Sequence, residues 1–430
     1  MPPTVDNKEQ GIHSLPAELI CAIFSLIHAS RSSPDEKPAA LSPVHILNRV
    51  CRLWREISQD LPELWTDIRI FHCRTGLPEM LDQYIRRSSS LQLDILLDIP
   101  LDVAGKQFVG FWAIILKLWS VAYRWRTLCI ITTANNFAHI QANIGCKMVP
   151  RLESLQLRVS HAVPSGEIPP SISFSSMSAL KSLVLHGIAL QNSEVSSFVD
   201  QLERLDVNAT STVILLQLAE QFETLSPETQ AISRLRYLSL RGSLPPLGVA
   251  ADSAIKSYTS SLTSLYLGNF DRGDIHALCD VLSASALKEL SLDDLSGSCW
   301  DDFTGALSVR TIEFPSLRTL KLARIRGYTM HGPGYLAVAF PFLERLSLLH
   351  VDCSTFLSSL SKADPIFWPR LNNLTVDNAN YRTLRSVVEA RSALGCPLAS
   401  LEVDTPKIID SSSLHWLQNH VSLKRNLRAA

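Results

Sequence analysis

The sequence predicts an α/β fold in two parts: a small helical module at the N-terminus, then a long stack of short parallel strands with helices on the opposite side. Three observations predict it. The pattern L-x-x-L-x-[LV] recurs ten times down the C-terminal two-thirds of the 430 residues. Segments with helical apolar spacing lie between several copies. Residues 14 to 65 follow a different, proline-punctuated helical pattern. With 66 leucines and 46% hydrophobic residues the chain can bury a large core. Forty Lys+Arg against 41 Asp+Glu leave a net charge of -1, which argues against a polycation for nucleic acid.

In chain order, residues 1–13 are polar and predicted disordered. They carry neither the basic start nor the apolar core of a signal peptide. Residues 14–66 form the helical module. Ser14-Leu15-Pro16-Ala17-Glu18-Leu19 opens a helix with Pro near its first position, and Leu19, Ile20, Ile23, Phe24 and Ile27 make a broad apolar stripe. His28 to Leu41, with Pro34 and Pro38, reads as an exposed loop. Ser42-Pro43 restarts a helix carrying Ile46, Leu47, Val50, Cys51, Trp54 and Ile57. Leu61-Pro62-Glu63-Leu64-Trp65 begins a third short element.

Residues 67–130 read as a linker and an N-terminal cap for the stack, with Phe108 to Tyr123 as a buried amphipathic helix. Lys117 interrupts that stretch, and its uncharged run is far shorter than the ~18 residues of a membrane span.

Residues 131–425 hold the repeats. The copies start at Leu152, Leu180, Leu202, Leu235, Leu262, Leu287, Leu317, Leu343, Leu371 and Leu398, with gaps of 22 to 33 residues. Seven copies have Leu at all three positions, where independent placement of the leucines gives only about 1.5. This is the period of a leucine-rich-repeat solenoid. Strand side chains alternate, so the second and third apolar positions of each copy enter one core. Val213 to Phe222, Ile275 to Leu282, Phe356 to Leu360 and Leu384 to Ala390 are the expected helices of the convex side, with Asp274 and Ser354 as N-caps. Many leucine-rich repeats carry an Asn three residues after the last ladder position. Here Ile188, Phe270, Leu295, Ile325 and Val351 stand there, so an apolar plug replaces side-chain hydrogen bonding to the turn. Proline introduces strands at Phe314-Pro315, Phe340-Pro341 and Trp368-Pro369, because it lacks an N–H and disfavours helix before it.

The residues of the N-terminal module carry a resemblance. Leu-Pro-x-Glu-Leu-Ile-x-x-Ile-Phe from Leu15, Val-Cys-Arg-x-Trp-Arg from Val50 and Leu-Pro-x-Leu-Trp from Leu61 together resemble an F-box. Combined with irregular leucine-rich repeats, the chain is similar to the large fungal F-box/leucine-rich-repeat families. Arg124-Trp125-Arg126-Thr127-Leu128, and Ala390-Arg391 through Gly395-Cys396-Pro397-Leu398, extend the resemblance. The segment His28 to Leu41 is longer than the matching connection of compact F-boxes. The resemblance implies an intracellular substrate adaptor of a cullin-RING ubiquitin ligase: the F-box docks a Skp adaptor and the repeats hold a target protein. Leu15, Pro16, Ile20, Ile23, Phe24, Trp54 and Trp65 are the residues expected at that docking surface or immediately supporting it. The alternative is a repeat scaffold or receptor unconnected to ubiquitin, whose N-terminal helices cap the stack.

In each copy the third, fifth and seventh positions alternate with the buried leucines and should face the concave surface. Five Lys/Arg and six Asp/Glu occupy them over the ten copies, which makes no polybasic track. Tyr and Arg are enriched at binding hot spots, so Arg204, Tyr237, Arg241, Tyr266 and Asp293 are the candidate target-binding residues. Metal, phosphate-loop, dinucleotide and nucleophile-elbow motifs are missing, so no catalytic residue, metal or cofactor is expected. Nine scattered cysteines without a C-x-x-C pair fit reduced thiols of the cytoplasm or nucleus.

Overall fold

The computed structural model describes residues 15–30, 43–72, 76–103, 106–144, 148–160, 171–172, 177–190, 201–208, 234–242, 261–269, 286–310, 314–325, 333–362, 366–377, 379–404 and 411–425. No helix among them is long and apolar enough to cross a membrane. The chain divides into two units, Met1–Leu180 and Lys181–Ala430.

In the first unit, α1 (Ala17–Ala29) follows Pro16, whose φ of −54° and ψ of 145° start the helix without a side-chain cap. The stretch expected as one helix from Pro43 onward is two, α2 (Pro43–Leu47) and α3 (Arg52–Asp60). The reason is local hydrogen bonding. The Asn48 carbonyl accepts from Arg55 Nε at 2.9 Å and the Asn48 side-chain oxygen accepts from the Ser58 hydroxyl at 2.7 Å. Cys51 then adopts extended backbone and caps α3 by accepting the Trp54 N–H on sulfur at 3.4 Å. A 3-10 turn, Pro62–Trp65, closes the module.

Residues 67–130, expected as linker and cap, carry three parallel strands: β1 (Asp67–Ile70), β2 (Leu93–Ile99) and β3 (Trp125–Thr133). With β4 (Ser154–Ser160) they place Ile68, Ile95, Leu128 and Leu155 in one register row and Ile70, Leu97, Ile130 and Leu157 in the next. Helices α4 (Leu77–Arg87), α5 (Lys106–Ser120) and α6 (Ala134–Ile144) fill the intervals. The expected amphipathic helix is α5, with Phe111, Ile114, Ile115, Leu118 and Trp119 buried.

The second unit is the repeat stack. Its strands are β5 (Ser182–His186), β6 (Arg204–Asn208), β7 (Tyr237–Arg241), β8 (Ser264–Gly268), β9 (Glu289–Asp293), β10 (Thr319–Ala323), β11 (Arg345–Leu349), β12 (Asn373–Asp377), β13 (Ser400–Asp404) and β14 (Ser422–Arg425), each parallel to the next. Leu183, Leu205, Leu238, Leu265, Leu290, Leu320, Leu346, Leu374, Leu401 and Leu423 share one row. All thirty ladder positions read from the sequence are buried, none above 6% exposed. On the leucine side lie α7 (Gly297–Arg310), α8 (Pro333–Ala339), α9 (Ser354–Leu360), α10 (Tyr381–Ala393) and α11 (Ser411–His420), each packed on its chain neighbour. The helices expected at Phe356 to Leu360 and Leu384 to Ala390 are α9 and α10. Those expected at Val213 to Phe222 and Ile275 to Leu282, and the Asp274 cap, lie outside the described residues. Ser354 is the first residue of α9 rather than its cap; Asp352 Oδ1 accepts the Ser354 N–H at 3.1 Å and its hydroxyl at 2.7 Å.

The strands turn without an asparagine ladder. The residue after a strand repeatedly has positive φ: Gly187 (75°), Gly242 (88°), Asn269 (56°), Asp294 (52°), Arg324 (51°) and His350 (55°). This left-handed residue aims its N–H at the next repeat. Gly242 donates to the Gly268 carbonyl, Asn269 to Asp293, Asp294 to Ala323 and Arg324 to Leu349, at 2.8 to 2.9 Å. Gly187 and His350 donate instead to the side chains of Asn208 (2.9 Å) and Asp377 (2.6 Å). The apolar residue that follows is buried at Ile188, Leu295, Ile325 and Val351, the plugs expected from the sequence; Phe270 lies outside the described residues. Before the strands, Phe314-Pro315, Phe340-Pro341 and Trp368-Pro369 make turns with Pro second, and the first ladder leucine donates back to the buried aromatic's carbonyl at 2.9 to 3.3 Å.

Candidate functional site

Two surfaces contain the residues singled out by the sequence, one in each unit. In the N-terminal module the apolar stripe of α1 divides between two faces. Ile20 and Phe24, one helical turn apart, are 1% and 0% exposed, and the Phe24 ring meets Trp54 edge-on at 5.1 Å. Trp65 is 2% exposed. Its indole N–H donates to the Ser58 carbonyl at 2.9 Å, the Tyr84 ring packs edge-on at 5.0 Å and the Arg87 guanidinium lies over its ring at 4.5 Å. Ile20, Phe24 and Trp65 are therefore the module's core and support a surface rather than form one. Leu15, Ile23 and Trp54 are half-buried beside them, and Pro16 is exposed. The apolar groups presented to solvent are others: Leu19 at 51% and Leu26 at 70% on α1, with Ile46, Val50 and Leu53 at 40 to 50% on the α2–α3 segment. Leu19 and Leu26 stand seven residues apart, the spacing of a single helix face. That spacing, separated from the Ile20/Phe24 pair, was the available signal.

In the second unit the solvent side of the sheet carries three rows, and here all five expected target-binding residues meet. The Arg204 guanidinium lies over the Tyr237 ring at 4.2 Å, and that of Arg241 over the Tyr266 ring at 4.5 Å. The Tyr266 hydroxyl donates to Asp293 Oδ2 at 2.5 Å. The register explains the meeting: Arg204 is opposite Tyr237, Arg241 is opposite Gly268, and Gly268 is opposite Asp293. Gly268 has no side chain because Tyr266 occupies the place of one. A Cβ there would sit 2.9 Å from Tyr266 Cε1.

Beneath these rings are two carboxylates, the expected Asp293 and Asp206, which the sequence did not single out as a binding residue. Asp206, 3% exposed, accepts from His186 Nε2 at 3.1 Å and from the Ser239 hydroxyl at 2.7 Å on one oxygen, with Arg241 Nε 3.7 Å away. Burial acts to raise its carboxyl, but the hydrogen bonds from His186 and Ser239 and the charges of His186 and Arg241 outweigh burial and hold it below the usual carboxylate value. Asp293 receives both Tyr266 and Arg324 Nη2, each at 2.5 Å, while its other oxygen is buried without a partner. Burial first, and then the bond to Asp293, raise the Tyr266 phenol above its ordinary value. Arg324 escaped the sequence reading because it sits at the left-handed turn, outside the strand alternation.

The arrangement orders aromatic and guanidinium groups for recognition. No group of three or more His, Cys, Asp or Glu among the described residues is placed to hold a metal ion. The thiols of Cys129 and Cys353 are pushed up by burial, the former to about 11, which favours the protonated form.

No family model matches the chain. No curated protein matches it. Among solved structures, a crystal structure of an internalin from Listeria monocytogenes str. 4b F2365 is 15% identical, with a TM-score of 0.32, over 95% of this chain and 94% of that chain.

Proposed function

We propose that this chain is the substrate-recognition adaptor of an F-box-type cullin-RING ubiquitin ligase. The N-terminal module docks a Skp adaptor, the sheet face of the second unit holds a target protein, and the bond-making chemistry belongs to other subunits. The chain then contributes proximity, raising the effective concentration of target near the ubiquitin carrier. The observation that carries the docking half is the apolar face of α1 left to solvent, with Leu19 and Leu26 at 51% and 70% exposure above a fully formed core of Ile20, Phe24 and Trp65. A small module that has filled its own interior and still presents large aliphatic groups is suited to burial against a partner.

The test is co-purification of the full chain with a Skp adaptor, comparing wild type with Leu19→Glu/Leu26→Glu. Both positions are exposed, so the variant should keep its melting temperature and lose the adaptor. Wild type that is folded and fails to bind would end the ligase reading. The second reading, a repeat scaffold with an N-terminal cap, is favoured by Trp65, Tyr84 and Arg87, which join the module to α4.

A further inference from the structure

On the sheet face from β6 to β11, acids and bases are segregated by depth. The charged side chains of its three rows and following turn residues that are exposed are Arg204, Lys321, Arg324 and Arg345, with no carboxylate among them. Asp206 and Asp293 are buried, and of the two half-buried acids Glu289 is paired with Lys321 at 2.5 Å and Asp294 stands at the turn after β9. The equal count of acids and bases along the sequence therefore hides a surface that offers solvent positive charge.

Two of these bases are unspent. The Arg204 guanidinium lies over the Tyr237 ring, and among the described residues neither Arg204 nor Arg345 makes an ion pair or hydrogen bond from its side chain. Stacking occupies the plane of a guanidinium and leaves its edge, the five N–H fork, directed outward for a carboxylate. Arg204 and Arg345 also share a register row through Tyr237, Ser264, Glu289 and Thr319. Five strand steps at about 4.8 Å put them about 24 Å apart, the span of roughly seven residues of extended chain.

We infer that this face binds an acidic, extended segment of a target protein, whose carboxylate side chains are taken by Arg204 at one end and Arg345 at the other, with Tyr237 beneath the chain. The inference rests on the reading of this sheet face as the target-holding surface and names what it holds. Glu289 in mid-row, and Glu402 two strands beyond, break the continuous positive track that a nucleic-acid backbone needs. A protein segment with spaced carboxylates fits this row.

The experiment is fluorescence anisotropy with the full chain and three labelled probes: an octapeptide with five glutamates, the same peptide with glutamines in their place, and oligothymidylate. The glutamate peptide should bind, more weakly as salt is raised, and the glutamine peptide should not. Arg204→Glu/Arg345→Glu should weaken the glutamate peptide by at least about tenfold, the loss expected for two charge-assisted bonds. The neutral pair Arg204→Gln/Arg345→Gln, which places no new charge on the sheet, should fall between it and wild type. Equal binding of the glutamine peptide, no effect of either variant, or tighter binding of oligothymidylate would each overturn the inference. Adaptor co-purification is read on the same preparations. Loss of the adaptor with peptide binding intact removes the ligase reading alone, and the reverse removes this inference alone.

Discussion

Arg391 offers the sharpest test of how the repeats are held together. It is 1% exposed in the last turn of α10, with no counter-ion among the described residues, and burial lowers its guanidinium from the ordinary value. It donates to the carbonyls of Phe367 (3.2 Å), Trp368 (3.0 Å) and Leu371 (3.0 Å), the turn that leads into β12. At the centre of that turn Trp368, itself 1% exposed, has a φ of +48°, a left-handed conformation that a large side chain rarely adopts. Arg391→Met keeps the bulk and removes the fork. The Trp368 carbonyl still receives the Leu371 N–H at 2.9 Å, so two carbonyls, of Phe367 and Leu371, lose their donor. At about 1–3 kcal/mol each that is about 2–6 kcal/mol, reduced by relief of the buried charge; we expect about 3 kcal/mol. For a unit of 250 residues the melting temperature should then fall by about 6–12 °C. Arg391→Lys, with a point charge that cannot reach all three acceptors at once, should lose about half as much. Thermal melts and hydrogen exchange of the peptide spanning 366–373 measure both. A methionine variant melting within about 1 °C of wild type, with unchanged exchange in that peptide, would refute the clamp.

Two other substitutions probe the sheet face. Asp206→Asn should destabilise by about 1–3 kcal/mol, because His186 and Arg241 lose the negative charge they share while Arg241 remains partly hydrated. The folded carboxyl lies below its ordinary value, so its stabilisation is complete above the unfolded pKa of about 3.9 and is lost as pH falls through the lower folded one; acid denaturation of the Asn variant should lack that part of the slope. Gly268→Ala should displace Tyr266 from Asp293 and cost about 1–2 kcal/mol. In an alkaline ultraviolet titration one phenol that resists ionisation in wild type should then titrate with the ordinary tyrosines, and an unchanged curve would contradict the packing of Tyr266 over Gly268.

The repeats were legible because their signal is chemical and periodic: each ladder position must be apolar, and Leu fills 27 of 30. All ten strands lie where the pattern put them. The three strands before Leu152 were not legible because their first position is not aliphatic. Counting back three residues from Ile68, Ile95 and Leu128 gives Trp65, Gln92 and Trp125, and a register shift sets Leu93 rather than Gln92 opposite Trp125, so a search for the leucine pattern passes over them. In the site, alternation assigned Arg204, Tyr237, Arg241, Tyr266 and Asp293 to one face, and register brought them together. Aligning the copies on their leucines also sets Asp206 beside Ser239. That both would be buried depends on the side chains folded over them, which alignment does not show. The Arg124 and Arg391 blocks stood out as marks of resemblance only, yet they share a physical role. Arg124, 4% exposed, donates to the carbonyls of Leu91 and Ile85 and to the Ser88 hydroxyl around Ser89, whose φ is +52°. Each arginine pins a left-handed turn that delivers the chain into a strand.

This division of roles explains how a repeat face can specialise without unfolding. The groups that fix its geometry are buried: Asp206 on β6 and Ser239 on β7, Asp293 against the Tyr266 hydroxyl. The groups available to a partner stand above them and carry little of the fold, since an exposed guanidinium on a tyrosine ring contributes only about 0.5–1 kcal/mol. Exchanging Arg204 or Arg345 therefore alters what the face attracts at small cost to stability, whereas exchanging Asp206 or Asp293 withdraws the anchor that orients several neighbours at once. A change of target would proceed through the exposed bases while the buried acids stay. The experiments separate on that line: variants of the arginines should shift peptide binding with melting temperature held, and variants of the aspartates should shift both.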